Sequence, residues 1–158
     1  MRDLESLRKL LGFLNIDADS KAAAAKLAQL IEPHLDGIIG QFYRRVMAFE
    51  INPHVNNLTV AGLKIKQRAH WMALFHSKFD ENFFNGILRI GARHRDIKLD
   101  PVWYVAGYTV LKIGFAETLV KSDQPAAMKG RMLKALDQYV AVDMALSLSS
   151  YNNVALID

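Results

Sequence analysis

The sequence predicts an all-α fold, and three observations carry that prediction. Apolar residues recur at three- and four-residue steps along nearly the whole chain, the spacing that builds one face of a helix. Strand signals are nearly absent, since no hairpin dipeptide separates alternating runs and no internal repeat is apparent. Helix punctuation recurs at Glu32-Pro33, Asp100-Pro101 and Ser122-Asp-Gln-Pro125. Together these give about seven or eight helices.

Taken in order, Asp3 to Leu14 reads as a short amphipathic helix carrying Leu4, Leu7, Leu10, Leu11 and Leu14 on one side. Asn15 to Ser20 interrupts it and offers Asp17, Asp19 and Ser20 as N-caps for an alanine-rich helix over Lys21 to Ile31. Glu32-Pro33 is expected to end that helix and to start another running to about Phe49, with Leu35, Ile39, Phe42 and Val46 along one face. After the connector Ile51-Asn-Pro53-His54, a longer helix is expected from Asn56 or Asn57 to about Ser77, with Leu63, Gln67, His70, Trp71 and Leu74 on one side. Asp80 can cap the next helix. Asp100 and Pro101 then supply a cap and a first helical residue for one reaching about Lys121. A final helix runs from Ala126 towards Asn152 or beyond, and Val154 to Asp158 is still helical in character.

Composition bounds the function. A chain of 158 residues, 51% hydrophobic, fits one domain spanning 1–158 with a full core. It contains no cysteine, which excludes disulfides and thiolate metal sites. No run of eighteen apolar residues suggests a membrane span, and the start lacks the apolar stretch of a signal peptide, so the expectation is a cytoplasmic domain with no membrane partner. The formal charge of +4 comes from cations scattered among acids. No groove-reading motif accompanies them, so no nucleic-acid partner is expected.

One side chain breaks the pattern. Phe83, Ile87, Ile90, His94 and Ile97 fall on one helical face, which places an imidazole among apolar residues. Either it is a satisfied core group, or it binds something in the core. None of the five histidines forms a His-x-x-x-His or Glu-x-x-His pair of the kind that chelates a metal on a helix. Phosphate loops, nucleophile elbows and a nucleophile beside a base are likewise missing, so the domain is not expected to be an enzyme. A lone histidine can still ligate haem iron, because the porphyrin supplies four nitrogens of its own.

The run Ile90-Gly91-x-x-His94-x-x-Ile97-x-Leu99-x-Pro101-x-Trp103-Tyr104-x-x-x-Tyr108 closely resembles the proximal-histidine signature of globin-coupled sensors and their protoglobin relatives. Upstream, Phe42-Tyr43 resembles the distal Phe-Tyr pair of that family, and Gln67-x-x-His70-Trp71-x-x-Leu74-Phe75 resembles its distal helix. The helix before Asn15 is similar to the extra N-terminal helix of this branch. The resemblance covers nearly the whole chain, in the right order.

That resemblance implies a globin fold with an extra N-terminal helix and haem b held by His94 as axial ligand. It places Tyr43 on the distal side as a donor to bound oxygen and Leu63 as a steric gate facing the ligand. Tyr104 packs against the axial imidazole, with Trp103 beside it. Lys66 and Gln67 are left without a settled role, and His70 with Trp71 lies either near a haem edge or in surface packing. The implied function is haem-based sensing of O2, or of CO or NO. The signal would pass through a homodimer interface built from the last two helices to an output domain or partner, and the final-helix stripe Leu133, Leu136, Val140, Met144 and Leu148 is a candidate part of that interface. The alternatives are an oxygen-binding or nitric-oxide-consuming haem globin without a signalling role, and a haem-free globin-like interaction domain.

Overall fold

The computed structural model describes residues 3–151, and among these there are six helices and no strands. They are α1 (Leu4–Phe13), α2 (Ala18–Ala48), α3 (Val60–Phe75), α4 (Glu81–Asp96), α5 (Pro101–Val120) and α6 (Ala126–Tyr151). The expected helical tail beyond Tyr151 lies outside the described residues.

The helix count falls short of seven or eight because Pro33 does not break the chain. α2 runs straight through it for 31 residues. A proline within a helix removes one backbone donor and costs about 3 kcal/mol in isolation. Here Pro33 and Gln29, whose carbonyl loses its partner, are both exposed to water, while Ile31 and Leu35 on either side are fully buried. Tertiary burial on both flanks outweighs the local penalty. Asp17 starts α2 with a capping box: its carboxylate accepts from the Ser20 N–H while the Ser20 hydroxyl takes the Asp17 N–H.

α3 begins three or four residues later than the periodicity suggests. Asn56 accepts from the Leu58 N–H through its side chain, and the Thr59 hydroxyl donates to the His54 carbonyl, so 56–59 is a side-chain-stabilised turn. Asp80 and Asp100 cap α4 and α5 as expected, and Pro101 opens α5.

The core lies between α2, α3, α5 and α6, around Trp71, Phe75, Phe115 and Tyr139. α4 packs chiefly on α6. Gly91 makes that crossing possible, since a Cβ there would collide with the Ser147 carbonyl and the Ser150 hydroxyl of α6. The buried stripe of α4 is consequently Phe84, Ile87 and Gly91, a rotation of the predicted face. Ile90, His94 and Ile97 lie at its edge, half-buried. That rotation turns His94 away from the packed core and towards a cavity. In α6 the stripe read as an interface is divided: Leu136 and Val140 are buried in the chain's own core, while Leu133, Met144 and Leu148 are half-buried.

Candidate functional site

α4 holds His94 by both its backbone and its ring. After the C-cap Ile97, Lys98 enters the left-handed region at φ 57°. The Lys98 N–H then donates to the Arg95 carbonyl, and the Leu99 N–H to the His94 carbonyl. These are the two bonds of a Schellman motif, so the last carbonyls of the helix are satisfied. On the ring, Nδ1–H donates to the Ile90 carbonyl at 2.8 Å. That bond fixes the tautomer and leaves Nε2 with its lone pair. Burial lowers the basicity of His94, with the Ile90 bond opposing it, so the imidazole is neutral at neutral pH.

His94 borders a cavity of about 640 Å³ between α2, α3, α4 and α5. The volume is within the range of cofactor sites. Phe42, Val46, Leu63, Ile97, Leu99 and Val110 make much of its wall. The buried and half-buried polar groups bordering it are few: Tyr43, Gln67 and Asn52 stand with His94, while the exposed Arg45, His54, Thr59, Lys66 and Arg93 lie at the rim.

Tyr43 is 5% exposed, and burial pushes its phenol up to about 12, the Gln67 side chain beside it pulling the other way. It remains a neutral donor at any physiological pH. Gln67 is oriented from behind: the Trp71 indole N–H donates to its Oε1 at 2.8 Å, across one turn of α3. With the carbonyl occupied, the Gln67 amide N–H groups are free to donate.

The remaining predicted residues separate. Leu63 and Trp103 border the cavity, Trp103 at its mouth and 48% exposed. Tyr104 does not border it. It backs the imidazole, with ring centroids 5.2 Å apart and planes at 65°. His70 is neither at the cavity nor in surface packing, because its Nε2 lies 2.8 Å from Oδ2 of the fully buried Asp143 on α6. Periodicity left three polar residues unassigned. Gln67 carried a legible signal in its four-residue spacing to Trp71. Asn52 did not: its amide reaches the Ile97 carbonyl at 3.3 Å across 45 residues of sequence. Asp143 showed itself only as an acid on the stripe Met132-Leu136-Tyr139-Leu146.

The arrangement fits a haem. Among the described residues no three His, Cys, Asp or Glu side chains are grouped to hold a bare ion. One neutral imidazole with an oriented Nε2 is sufficient where a porphyrin supplies the other four nitrogens. The apolar wall suits the macrocycle, and cations at the rim suit its carboxylates.

A helical fold with one oriented imidazole and one buried phenol bordering an apolar cavity is a globin-type cofactor site. The family model described as Protoglobin matches residues 3–155, and the chain belongs to that family. Among curated proteins it is 29% identical over 135 residues to the "Heme-based aerotactic transducer HemAT" of Halobacterium salinarum, a match that covers 83% of this chain and 27% of that protein. The chain thus spans about a quarter of that relative's length. Two solved structures share the fold. The globin domain of the Geobacter sulfurreducens globin-coupled sensor superposes with a TM-score of 0.81 at 13% identity, over 92% of this chain and 97% of that one. The ferric globin domain of Escherichia coli DosC does so at 0.72 and 21% identity, over 89% and 95%.

Proposed function

We propose that this chain is a haem-based gas-sensing module that binds haem b through Nε2 of His94. The observation that carries the reading is the His94 ring itself: Nδ1 is engaged by the Ile90 carbonyl, and the ring borders the same apolar cavity as Tyr43 and Gln67. Haem supplies the iron that takes a diatomic gas such as O2, CO or NO. Tyr43 and Gln67 are the donors that hold a polarised gas more firmly than a weakly polar one, which favours O2 over CO. Each neutral hydrogen bond contributes about 0.5–1.5 kcal/mol, up to about a tenfold change in affinity. Leu63 limits the room beside them, while Tyr104 steadies the imidazole from behind and Trp103 closes the mouth.

The role is binding and signalling, not turnover. Support for a signalling surface comes from α5, where Val102, Val105, Ile113 and Val120 are 41–66% exposed and fall on one side of the helix. Thr109 and Glu117 share that face, and the apolar side chains around them are proposed as part of an interaction site. With Leu133, Met144 and Leu148 of α6 it forms the proposed homodimer interface. The aerotactic transducer named above is a relative that couples haem to a cellular response, and an output domain or partner is proposed here by that likeness.

The deciding experiment is the absorption spectrum of the haem-reconstituted protein. A Soret band is expected in the wild type, lost or moved in His94→Ala. A spectrum without one, or a band indifferent to His94→Ala, would overturn the reading.

A further inference from the structure

Behind His94 lies a continuous polar chain that the ligand site does not use. The Tyr104 hydroxyl donates to the Tyr108 oxygen at 2.9 Å, and the Tyr108 hydroxyl donates to Oδ2 of Asp143 at 2.6 Å. The same carboxylate oxygen lies 2.8 Å from Nε2 of His70. Four helices meet in this chain: α4 through the His94 ring on Tyr104, α5 through both tyrosines, α6 through Asp143 and α3 through His70. α3 is also the helix that carries Leu63 and Gln67 to the cavity.

Stability alone does not account for Asp143. It is 0% exposed, and its Oδ1 meets no hydrogen-bond partner. A buried ion pair is often matched or bettered by apolar side chains of similar volume, because desolvation offsets the Coulomb gain. What the carboxylate does supply is a fixed point. The azimuth of the Tyr104 ring is set by where its hydroxyl is tied, and that tie ends on α6. The Tyr104 ring in turn limits how the imidazole can rotate and tilt.

We propose that Asp143 is a positioning residue for His94: acting through Tyr108 and Tyr104 it sets the imidazole's orientation, and through the same chain α6 and α3 follow a movement of that ring. This rests on the haem reading above. A movement of the His94 ring would displace the Tyr104 ring, strain the Tyr104–Tyr108–Asp143 bonds and load α6, which also meets α4 directly at Gly91.

The test is the iron–histidine stretching band in the resonance Raman spectrum of the reduced, haem-loaded protein. Asp143→Asn and Tyr108→Phe are both expected to retain the Soret band and to move the stretching band away from its wild-type frequency, in the same direction. Tyr108→Phe leaves the His70–Asp143 pair intact, so it decides the matter if Asp143→Asn does not fold. In the haem-free protein, the ring ¹⁵N shifts of His94 are expected to change in Tyr108→Phe. Folded variants with a Soret band, a wild-type stretching frequency and unchanged ¹⁵N shifts would overturn the proposal and leave the haem reading standing. A wild-type protein with no Soret band would instead remove the haem reading on which it rests.

Discussion

The indole N–H of Trp71 donates to Oε1 of Gln67 at 2.8 Å, so a fully buried aromatic aims a polar side chain bordering the cavity. The expected consequence is kinetic. Gln67→Leu keeps the volume and removes the donor, so O2 should dissociate several-fold faster, with a ceiling of about tenfold for one hydrogen bond. CO, less polarised, should change less. Stopped-flow dissociation rates check this, and equal effects on both gases would count against a donor role.

Tyr43→Phe isolates the other donor. The ring is buried in the core cluster, so removing its hydroxyl preserves most of the packing. O2 dissociation is expected to accelerate, and the double variant with Gln67→Leu to accelerate further. Because the two side chains are neighbours, their effects should not simply add.

Much of this was legible in the sequence, and what was not has a physical cause. Capping aspartates and Pro101 placed α4 and α5 because their signals are local. Pro33 misled, since the burial of Ile31 and Leu35 that overrides it is tertiary. The stripe that singled out His94 was correct in kind and off by a rotation, which Gly91 dictates by admitting α6 so closely. His70 is the clearest limit: its partner Asp143 is 73 residues away, and no periodicity links them.

The α5 face offers a separate test. Ile113→Asp puts a carboxylate on a residue half-exposed in the single chain, so the fold should be spared while any association through this face is lost. Light scattering of wild type against Ile113→Asp reads the difference. Equal masses for the two proteins would place the interface elsewhere.

The His70–Asp143 pair has a pH signature. Burial pulls His70 down, but the Asp143 charge and hydrogen bond together outweigh it, and the net shift is upward. The folded chain then holds that proton more tightly than the unfolded chain, whose histidine titrates near 6.5. The pair's contribution is fully present below about pH 6.5 and is lost as pH rises through the raised value. His94 works in the opposite sense, because its value is lowered. Comparing wild type with His70→Gln removes most of that effect, because burial is the largest cause of the His94 lowering and the His70 charge a smaller one. The difference in melting temperature between them, measured from acid to alkaline pH in haem-free protein, should shrink as pH rises. A constant difference would mean that folding leaves the His70 titration unshifted, and one that grew with pH would mean that His70 is neutral in the fold.

Two glycines, both within helices, should respond oppositely to alanine. Replacing a helical glycine relieves backbone entropy and is worth about 0.5–1 kcal/mol where there is room. A Cβ on Gly130 of α6 meets nothing within 4 Å, so Gly130→Ala should stabilise by that amount. At Gly91 the added carbon would collide with the Ser147 carbonyl, which is backbone and cannot rotate aside as the Ser150 hydroxyl can. Overpacking of that kind costs about 1–3 kcal/mol, more than the propensity gain. Gly91→Ala should therefore be less stable in urea and, because it pushes α4 from α6, should also disturb the Arg95 contact to the Ser150 carbonyl one turn further on. If Gly91→Ala melted with Gly130→Ala above the wild type, the close approach of α4 to α6 would not be what fixes the rotation of His94.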